Sequence, residues 1–285
     1  MTDCKLALGT VQFGLPYGIN NKQGIPSESE LKHIFNIAAQ KGVNVLDTAS
    51  AYGNAENKIG EYASNNFQII SKFSKISNKI EFENNLNNSL KKLRSTSVYG
   101  YLAHVAQDLI DYPDLWNLLV ESKEKGKVKK IGFSVYTTTE LEKLLSLRIF
   151  PDIVQLPYSL LDRKFENLFT TLKKNQCEIH VRSIFLQGLY FLNPDELPIK
   201  LYGFKKVLLE LTSICNYYNI SIHELALNFI NSNPNIDKIV IGVDNAIQLE
   251  KNIEAIKNWK NNSEITEKIN LLEIYNKELL NPSNW

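Results

Sequence analysis

Glu28-Ser29-Glu30-Leu31-Lys32-His33-Ile34-Phe35-Asn36-Ile37-Ala38-Ala39-Gln40-Lys41-Gly42-Val43-Asn44-Val45-Leu46-Asp47 is the stretch on which the fold turns. Its first part spaces Leu31, Ile34, Phe35, Ala38 and Ala39 by threes and fours, one face of an amphipathic helix over Glu28–Lys41. Ser27 precedes it as an N-cap, with Glu30 three residues later completing a capping-box pattern. Lys41-Gly42 is a helix stop. The period then changes. Val43–Asp47 is a short apolar run rich in β-branched residues, as in a strand buried on both faces.

Working outward, the same alternation repeats along the chain. Strands are expected at Leu6–Gly9, Val43–Asp47, Gln68–Ser71, Val98–His104, Lys130–Phe133, Ile153–Leu156, Glu178–Ser183 and Lys238–Ile241. Helical patterns fall between them at Phe82–Leu93, Leu115–Lys125, Leu141–Leu147 and Phe165–Lys173. Lys205–Asn231 reads as two helices broken near Asn219–Ser221. Ala246–Ile256 follows, and Ile265–Leu280 reads as an extra C-terminal helix. Strand–helix units repeating every ~30 residues imply parallel strands with right-handed crossovers, and eight of them close an α/β (β/α)8 TIM barrel. Such barrels form one domain of about 250 residues, so residues 1–285 are expected to be a single domain. An open doubly wound sheet is the alternative. Its phosphate-binding G-x-G-x-x-G is missing after the first strand, where the sequence reads Gly9-Thr10-Val11-Gln12-Phe13-Gly14. The irregular stretch Leu186–Gly203, with Pro194 and Pro198, would lie over the active face of a barrel.

Composition narrows the partners. Hydrophobic residues make up 44% of 285, enough for a large core, and 32 Lys+Arg balance 31 Asp+Glu to a net charge of +1. No charge excess would draw nucleic acid or a membrane surface. No run of ~18 apolar residues reads as a membrane span. Cys4, Cys177 and Cys215 are few, odd in number and far apart, which suits free thiols. The first residues carry no apolar signal region, so a cytoplasmic location is expected. No His or Cys pair has metal-ligand spacing, so no metal is expected.

A barrel places chemistry at the C-terminal ends of its strands. There the second strand delivers Asp47, the third Lys72 and the fourth His104, while Tyr52 lies on the loop after Asp47. The set suits carbonyl reduction. Hydride addition leaves an alkoxide that needs a proton. A tyrosine with its ordinary pKa near ~10 gives one up slowly at neutral pH. A neighbouring lysine would lower that value, a carboxylate would hold the lysine, and a neutral histidine would orient the carbonyl. His33, His180 and His223 read as structural. Phe13 and Tyr17, on the first loop, could line a substrate pocket.

These stretches together resemble the aldo-keto reductase family. The matches are Leu8-Gly9-Thr10, Asp47-Thr48-Ala49 with Tyr52-Gly53 and Glu56, Lys72, His104, Ile131-Gly132-Phe133-Ser134, Val154-Gln155-Leu156, Gln187-Gly188-Leu189, and Ile241-Gly242 with Gln248 and Asn252. The resemblance runs in order over nearly the whole chain. It implies a barrel that binds NADPH, with NADH as the alternative, and reduces a small-molecule aldehyde or ketone. Tyr52 would be the proton donor, assisted by Lys72, Asp47 and His104. Ser134 and Gln155 match residues that hold the nicotinamide carboxamide. Gly9, Thr10, Val11, Ser183, Leu186, Gln187 and Gly188 belong to coenzyme-facing segments, and Gly242, Val243, Asp244, Gln248 and Asn252 to the adenosine end. A helix starting near Asn245 would aim N–H groups at a phosphate.

Two positions depart from the family. Arg182 stands where an aromatic ring usually stacks on the nicotinamide; a planar guanidinium stacks too, and a salt-bridged rim arginine is the plainer reading. Asp244 stands where a cationic or hydroxyl side chain usually holds the 2′-phosphate. The turn Gly14-Leu15-Pro16-Tyr17-Gly18 resembles a subgroup associated with carbohydrates, which implies sugar-like substrates. Two other functions fit a barrel with these residues: a Schiff-base aldolase or lyase using Lys72, and a non-enzymatic coenzyme-binding regulator. The sequence leaves the oligomeric state open. Trp285 either hangs free or lies over the barrel mouth.

Overall fold

The computed structural model describes residues 4–18, 21, 24–63, 67–257, 259, 262–272, 274, 277–281 and 285. Eight parallel strands close a barrel in chain order: β1 (Leu6–Gly9), β2 (Val45–Asp47), β3 (Gln68–Phe73), β4 (Val98–Ala103), β5 (Val128–Ser134), β6 (Ile153–Pro157), β7 (Glu178–Arg182) and β8 (Lys238–Gly242). The seam pairs Leu6–Gly9 with Ile239–Gly242. Among the described residues the helices are α1 (Val11–Gly14), α2 (Glu28–Lys41), α3 (Ala55–Tyr62), α4 (Lys79–Lys92), α5 (Ala106–Asp111), α6 (Asp114–Glu124), α7 (Thr138–Ser146), α8 (Glu166–Lys174), α9 (Lys205–Tyr218), α10 (Ile222–Asn231), α11 (Ala246–Lys257) and α12 (Ser263–Asn270).

Side chains alternate along a strand, so residues two apart share a face. Ala7, Val45, Ile70, Leu102 and Ile153 are buried together inside the barrel, with Val240 packed against them. Two residues further along the same strands come Gly9, Asp47, Lys72, His104, Gln155 and Gly242. A dry apolar layer thus carries a polar layer directly above it, on the C-terminal side. Below it, at the N-terminal ends, Tyr99 (2.8 Å), Lys130 and His180 (3.2 Å) converge on the Glu178 carboxylate. Burial alone would raise that carboxyl, but hydrogen bonds from His180, Lys130 and Tyr99 hold it down at about 2.

Outside the barrel, alternate strand residues such as Leu8, Leu46, Phe73, Tyr101 and Phe133 pack against the amphipathic helices. Helix α2 stops at its glycine as expected, but only half of the expected capping box forms, because the Glu30 carboxylate accepts from the Ala246 N–H instead. Ser27 accepts from the Glu30 N–H, and Gly42 adopts a left-handed φ of 80°.

Several boundaries differ from those read in the sequence. Strand β3 continues through Lys72 to Phe73, because the Lys72 side chain is one more inward-pointing residue of the same two-residue period. Strand β7 stops at Arg182, and Ser183 takes a φ of 61° that leaves the ladder. The extra C-terminal helix is shorter than expected: α12 ends at Asn270, followed by a 3-10 turn at Lys277–Leu280. The stretch expected to be irregular folds into 3-10 turns at Leu186–Phe191, Pro194–Glu196 and Ile199–Phe204. Their apolar residues join α9, α10 and α12 in a second cluster. Trp285 belongs to that cluster's edge, its ring 6.2 Å from Phe204 and its Nε1 donating to the Leu279 carbonyl at 2.7 Å.

The expected break between α9 and α10 is present. Asn219 takes a left-handed φ of 51°, and Ser221 and Glu224 form a reciprocal capping box. Ser221→Ala removes an acceptor for an otherwise orphaned N–H. We expect it to cost about 1 kcal/mol, a fall in melting temperature of ~2–4 °C. Thermal unfolding followed by circular dichroism measures it, and an unchanged midpoint would show that the cap contributes nothing.

Candidate active site

Asp47 is the hub of the polar layer. Its Oδ1 accepts from Lys72 Nζ at 2.6 Å and its Oδ2 from Gln155 Nε2 at 2.8 Å, so one carboxylate ties β2 to β3 and across the barrel to β6. Lys72 is fully buried and donates a second bond to the Thr48 carbonyl at 2.9 Å. Its Nζ lies 5.3 Å from the centre of the Tyr52 ring. His104 meets that ring edge-on, centroids 5.5 Å apart. The backbone N–H of His104 donates to Phe73 at 2.7 Å, extending the β3–β4 ladder one residue past its formal end. The four residues expected from the sequence are therefore brought together.

The loop that carries Tyr52 is held by two glycines. A Cβ on Gly14 would stand 1.8 Å from the Tyr52 carbonyl oxygen, and Gly53, at a φ of 55°, would place its own 2.5 Å from the Gly14 carbonyl. Only glycine at both positions lets the two loops touch. Thr10 fixes the first loop from the other side. Its N–H and hydroxyl both donate to the Asp47 carbonyl, at 2.9 and 3.0 Å.

The electrostatics change one expectation. Burial first, then the Asp47 charge, push the Tyr52 phenol above its ordinary value, against a smaller lowering by Arg182. The lowering expected from Lys72 does not prevail, because its ion-pair partner Asp47 pushes the phenol the other way and burial adds to that. Burial lowers Lys72 itself, and Asp47 opposes that shift. His104 is pulled down to about 4, by burial and then by the Lys72 charge. The site therefore keeps a protonated phenol beside a neutral imidazole.

These groups open onto a cavity of about 730 Å³, within the range of ligand sites. Tyr52, His104 and Asp47 border one part of it, with Gln155, Arg182 and Tyr17. Gly9, Thr10, Val11, Ser183, Gln187 and Gly188 also line it, as do Gly242, Asp244, Gln248 and Asn252 from β8 and α11. Gln187 bridges the mouth by donating to the Tyr17 hydroxyl at 3.1 Å. The guanidinium carbon of Arg182 stands over the Tyr136 ring, 4.0 Å from its centre, and Arg182 donates to the Val135 carbonyl at 3.2 Å. It has no carboxylate partner among the described salt bridges, so the rim salt bridge does not form.

Some sequence-derived site residues face elsewhere. Phe13 is fully buried and packs edge-on against Phe35, 5.6 Å away, so it lines no substrate pocket. Leu186 and Val243 sit in the two apolar clusters. Neither lines the cavity; only their chain neighbours Gln187 and Gly188, and Gly242 and Asp244, do. Ser134 is buried at the end of β5, opposite Gln155 in the sheet register. Other lining residues went unread: Gln12, Tyr136, Phe185, Phe191, Lys251 and His223. His223 was read as structural. It stacks on Phe185 at 5.5 Å, and its Nε2 bonds the Asn252 Oδ1 at 2.6 Å.

Helix α11 starts at Ala246, close to the expected position, and three backbone N–H groups around its start are engaged. Ala246 donates to Glu30 Oε1 at 2.6 Å, Gln248 to Asn245 Oδ1 at 2.9 Å, and Asp244 to Gln248 Oε1 at 2.8 Å. Two buried oxygens on the cavity wall have no partner, Gln12 Oε1 and Asp244 Oδ1. Among the described residues no cluster of three His, Cys, Asp or Glu could hold a metal. No described helix is long and apolar enough to cross a membrane.

Known proteins share this architecture. The chain resembles the aldo-keto reductase AKR11C1 from Bacillus halodurans in its holo form, with a TM-score of 0.77 and 20% identity over 96% of this chain and 94% of that one. The glycerol dehydrogenase AKR11B4 from Gluconobacter oxydans superposes with a TM-score of 0.74 at 16% identity, covering 93% and 90%. In sequence, Aldo-keto reductase YhdN of Bacillus subtilis is 23% identical over 269 residues, covering 82% of this chain and 81% of that protein. The chloroplastic pyridoxal reductase of Arabidopsis thaliana is 25% identical over 283 residues, covering 82% and 73%. The sequence profile of the aldo/keto reductase family matches residues 5–272. With a closed eightfold barrel under that match, the chain belongs to the aldo/keto reductase family, and its coarse activity is that of an oxidoreductase of carbonyl compounds.

Proposed function

We propose that the protein reduces an aldehyde or ketone to an alcohol with a reduced nicotinamide dinucleotide, and that Tyr52 delivers the proton. The observation that carries this reading is the Tyr52 ring held between Lys72 at 5.3 Å and His104 at 5.5 Å on one cavity wall. The bound coenzyme supplies the hydride. The protein supplies orientation and the proton. Neutral His104 donates a hydrogen bond to the carbonyl oxygen and fixes its angle. As negative charge grows on that oxygen, the phenolic proton of Tyr52 moves onto it. The buried Lys72–Asp47 pair offers a fixed dipole beneath the phenolate that forms, a preorganised stabilisation that needs no water. Gln155 holds the second Asp47 oxygen. The orphaned acceptors Gln12 Oε1 and Asp244 Oδ1 suit a dinucleotide that brings its own donors. Carbonyls like those of the relatives, pyridoxal and small polyols' oxidised forms, are the first substrates to try, with sugar-like ketones.

Titrating the protein with NADPH and NADH, by the emission of the reduced nicotinamide, tests the reading. We expect saturable binding of at least one. A folded protein that binds neither would overturn it. The Schiff-base alternative is disfavoured because Lys72 is enclosed, charge-paired and away from the cavity surface; borohydride trapping of a carbonyl compound on Lys72 would reinstate it.

The pH dependence follows from the two shifts. With His104 at about 4 and Tyr52 above its ordinary value, neither changes charge over the neutral range. We expect kcat/KM to be flat between about pH 5 and 9, and a break near 6.5 would contradict a neutral His104. Stability has its own sign. Between about 6.5 and 4 the unfolded chain binds a proton at His104 that the folded chain refuses, so stability falls as pH falls through that window and is unaffected above it.

A further inference from the structure

Gly242, Asp244, Gln248 and Asn252 line the end of the cavity where β8 gives way to α11. Resting on the reductase reading, we propose that this end selects NADH against NADPH, with Asp244 as the discriminating residue and Glu30 as its accomplice. The two coenzymes differ only at the adenosine ribose. NADPH carries a 2′-phosphate there, a dianion that needs N–H donors or cations. NADH carries a hydroxyl, which can donate.

Three backbone N–H groups around the start of α11 already have partners within the protein. The Ala246 N–H is held by the Glu30 carboxylate at 2.6 Å, the Gln248 N–H by Asn245, and the Asp244 N–H by the Gln248 amide. Glu30 comes from α2, outside the turn, and places a full negative charge where the helix dipole is positive. Asp244 adds a second. Its Oδ2 accepts weakly from Gln248 Nε2 at 3.3 Å, while its Oδ1 is buried with no partner. A free carboxylate oxygen is an acceptor for a ribose hydroxyl, the same chemistry by which other dinucleotide folds bind NAD through an acidic residue. Lys251 also lines this end. It is exposed, and a single solvated ammonium does not offset two carboxylates around a dianion. Like charges brought together in this way disfavour binding of the dianion.

The test is calorimetric titration of the intact protein with NADH and NADPH, and in parallel with ADP-ribose and its 2′-phosphate, which lack the nicotinamide. We expect NADH to bind ten- to a hundredfold tighter, about one to two factors of ten in Kd, and the ADP-ribose pair to show a similar ratio. Asp244→Asn keeps size and the Gln248 contact. Combined with Glu30→Gln, it should lower the NADH preference at least ~10-fold. Circular dichroism confirms that the variant folds, and the single Asp244→Asn serves if the double does not. NADPH binding equally or more tightly than NADH to the unaltered protein overturns the proposal and leaves the reductase reading standing. An unchanged ratio in the variants also overturns it. Binding of no dinucleotide at all overturns both.

Discussion

Tyr52→Phe is expected to cut kcat for aldehyde reduction by about 10²–10⁴-fold, the usual worth of a positioned general acid. The substitution removes one oxygen. The ring keeps its edge contact with His104 and its place over Lys72, so the cavity walls stay put and coenzyme affinity should change less than about threefold. That split separates a proton donor from a packing residue. Single-turnover reduction of an aldehyde that the unaltered protein turns over, with coenzyme binding measured on the same preparation, is the experiment. Full turnover by the variant would end the proposed role for Tyr52. An equal loss of coenzyme binding and turnover would show that the ring supports the site rather than acting in it.

Asp47→Ala should be the most damaging substitution for stability, costing about 3–5 kcal/mol. It leaves the Lys72 ammonium in a fully buried position, with only the Thr48 carbonyl at 2.9 Å to compensate it. Gln155 Nε2 loses its acceptor too. The companion variants make the cause legible. Lys72→Met fills the space without a charge, but strands the Asp47 carboxylate with Gln155 alone. The double variant Asp47→Ala/Lys72→Met removes both charges and should recover much of the loss, since replacing a buried pair by apolar groups is often neutral. Denaturant unfolding of the three proteins measures the coupling. Strictly additive losses would mean that the pair contributes nothing as a pair. Activity should not return in the double variant, because a site without the pair has no fixed dipole under the phenol.

The sequence carried the barrel well because eight strand–helix units leave little choice of topology. It carried the polar layer for a related reason. Asp47, Lys72, His104 and Gln155 each stand two residues beyond an interior apolar residue, so a strand period alone puts them on one rim. What it carried poorly were ends and directions. A lysine looks like the end of an apolar run, yet Lys72 belongs to β3 because Asp47 makes its burial tolerable. Phe13, Leu186 and Val243 stand next to residues that line the cavity, and nothing local says that they themselves turn to the core. His223 was invisible because its partner, Asn252, comes from another helix, and only the closed fold brings α10 against α11. Tyr136 had a signal that could have been used: it follows Ser134 by two residues, on the same kind of strand-end loop as Tyr52.

The β1–β8 seam has a consequence for how the protein is made. The strand that completes the barrel, Lys238–Gly242, pairs with Leu6–Gly9 at the opposite end of the chain. The ribosome therefore delivers Tyr52, Lys72 and His104 early and the last wall of the cavity late. Until Ile239 docks on Leu6, the first strand presents an open edge, and closing that distance is entropically costly. Folding dominated by such distant pairing is slow. An unfinished chain holds the Tyr52, Lys72 and His104 set and its supports from the first six strands, but lacks the strand that closes the barrel around them, and its open edges expose it to misassembly until that strand docks.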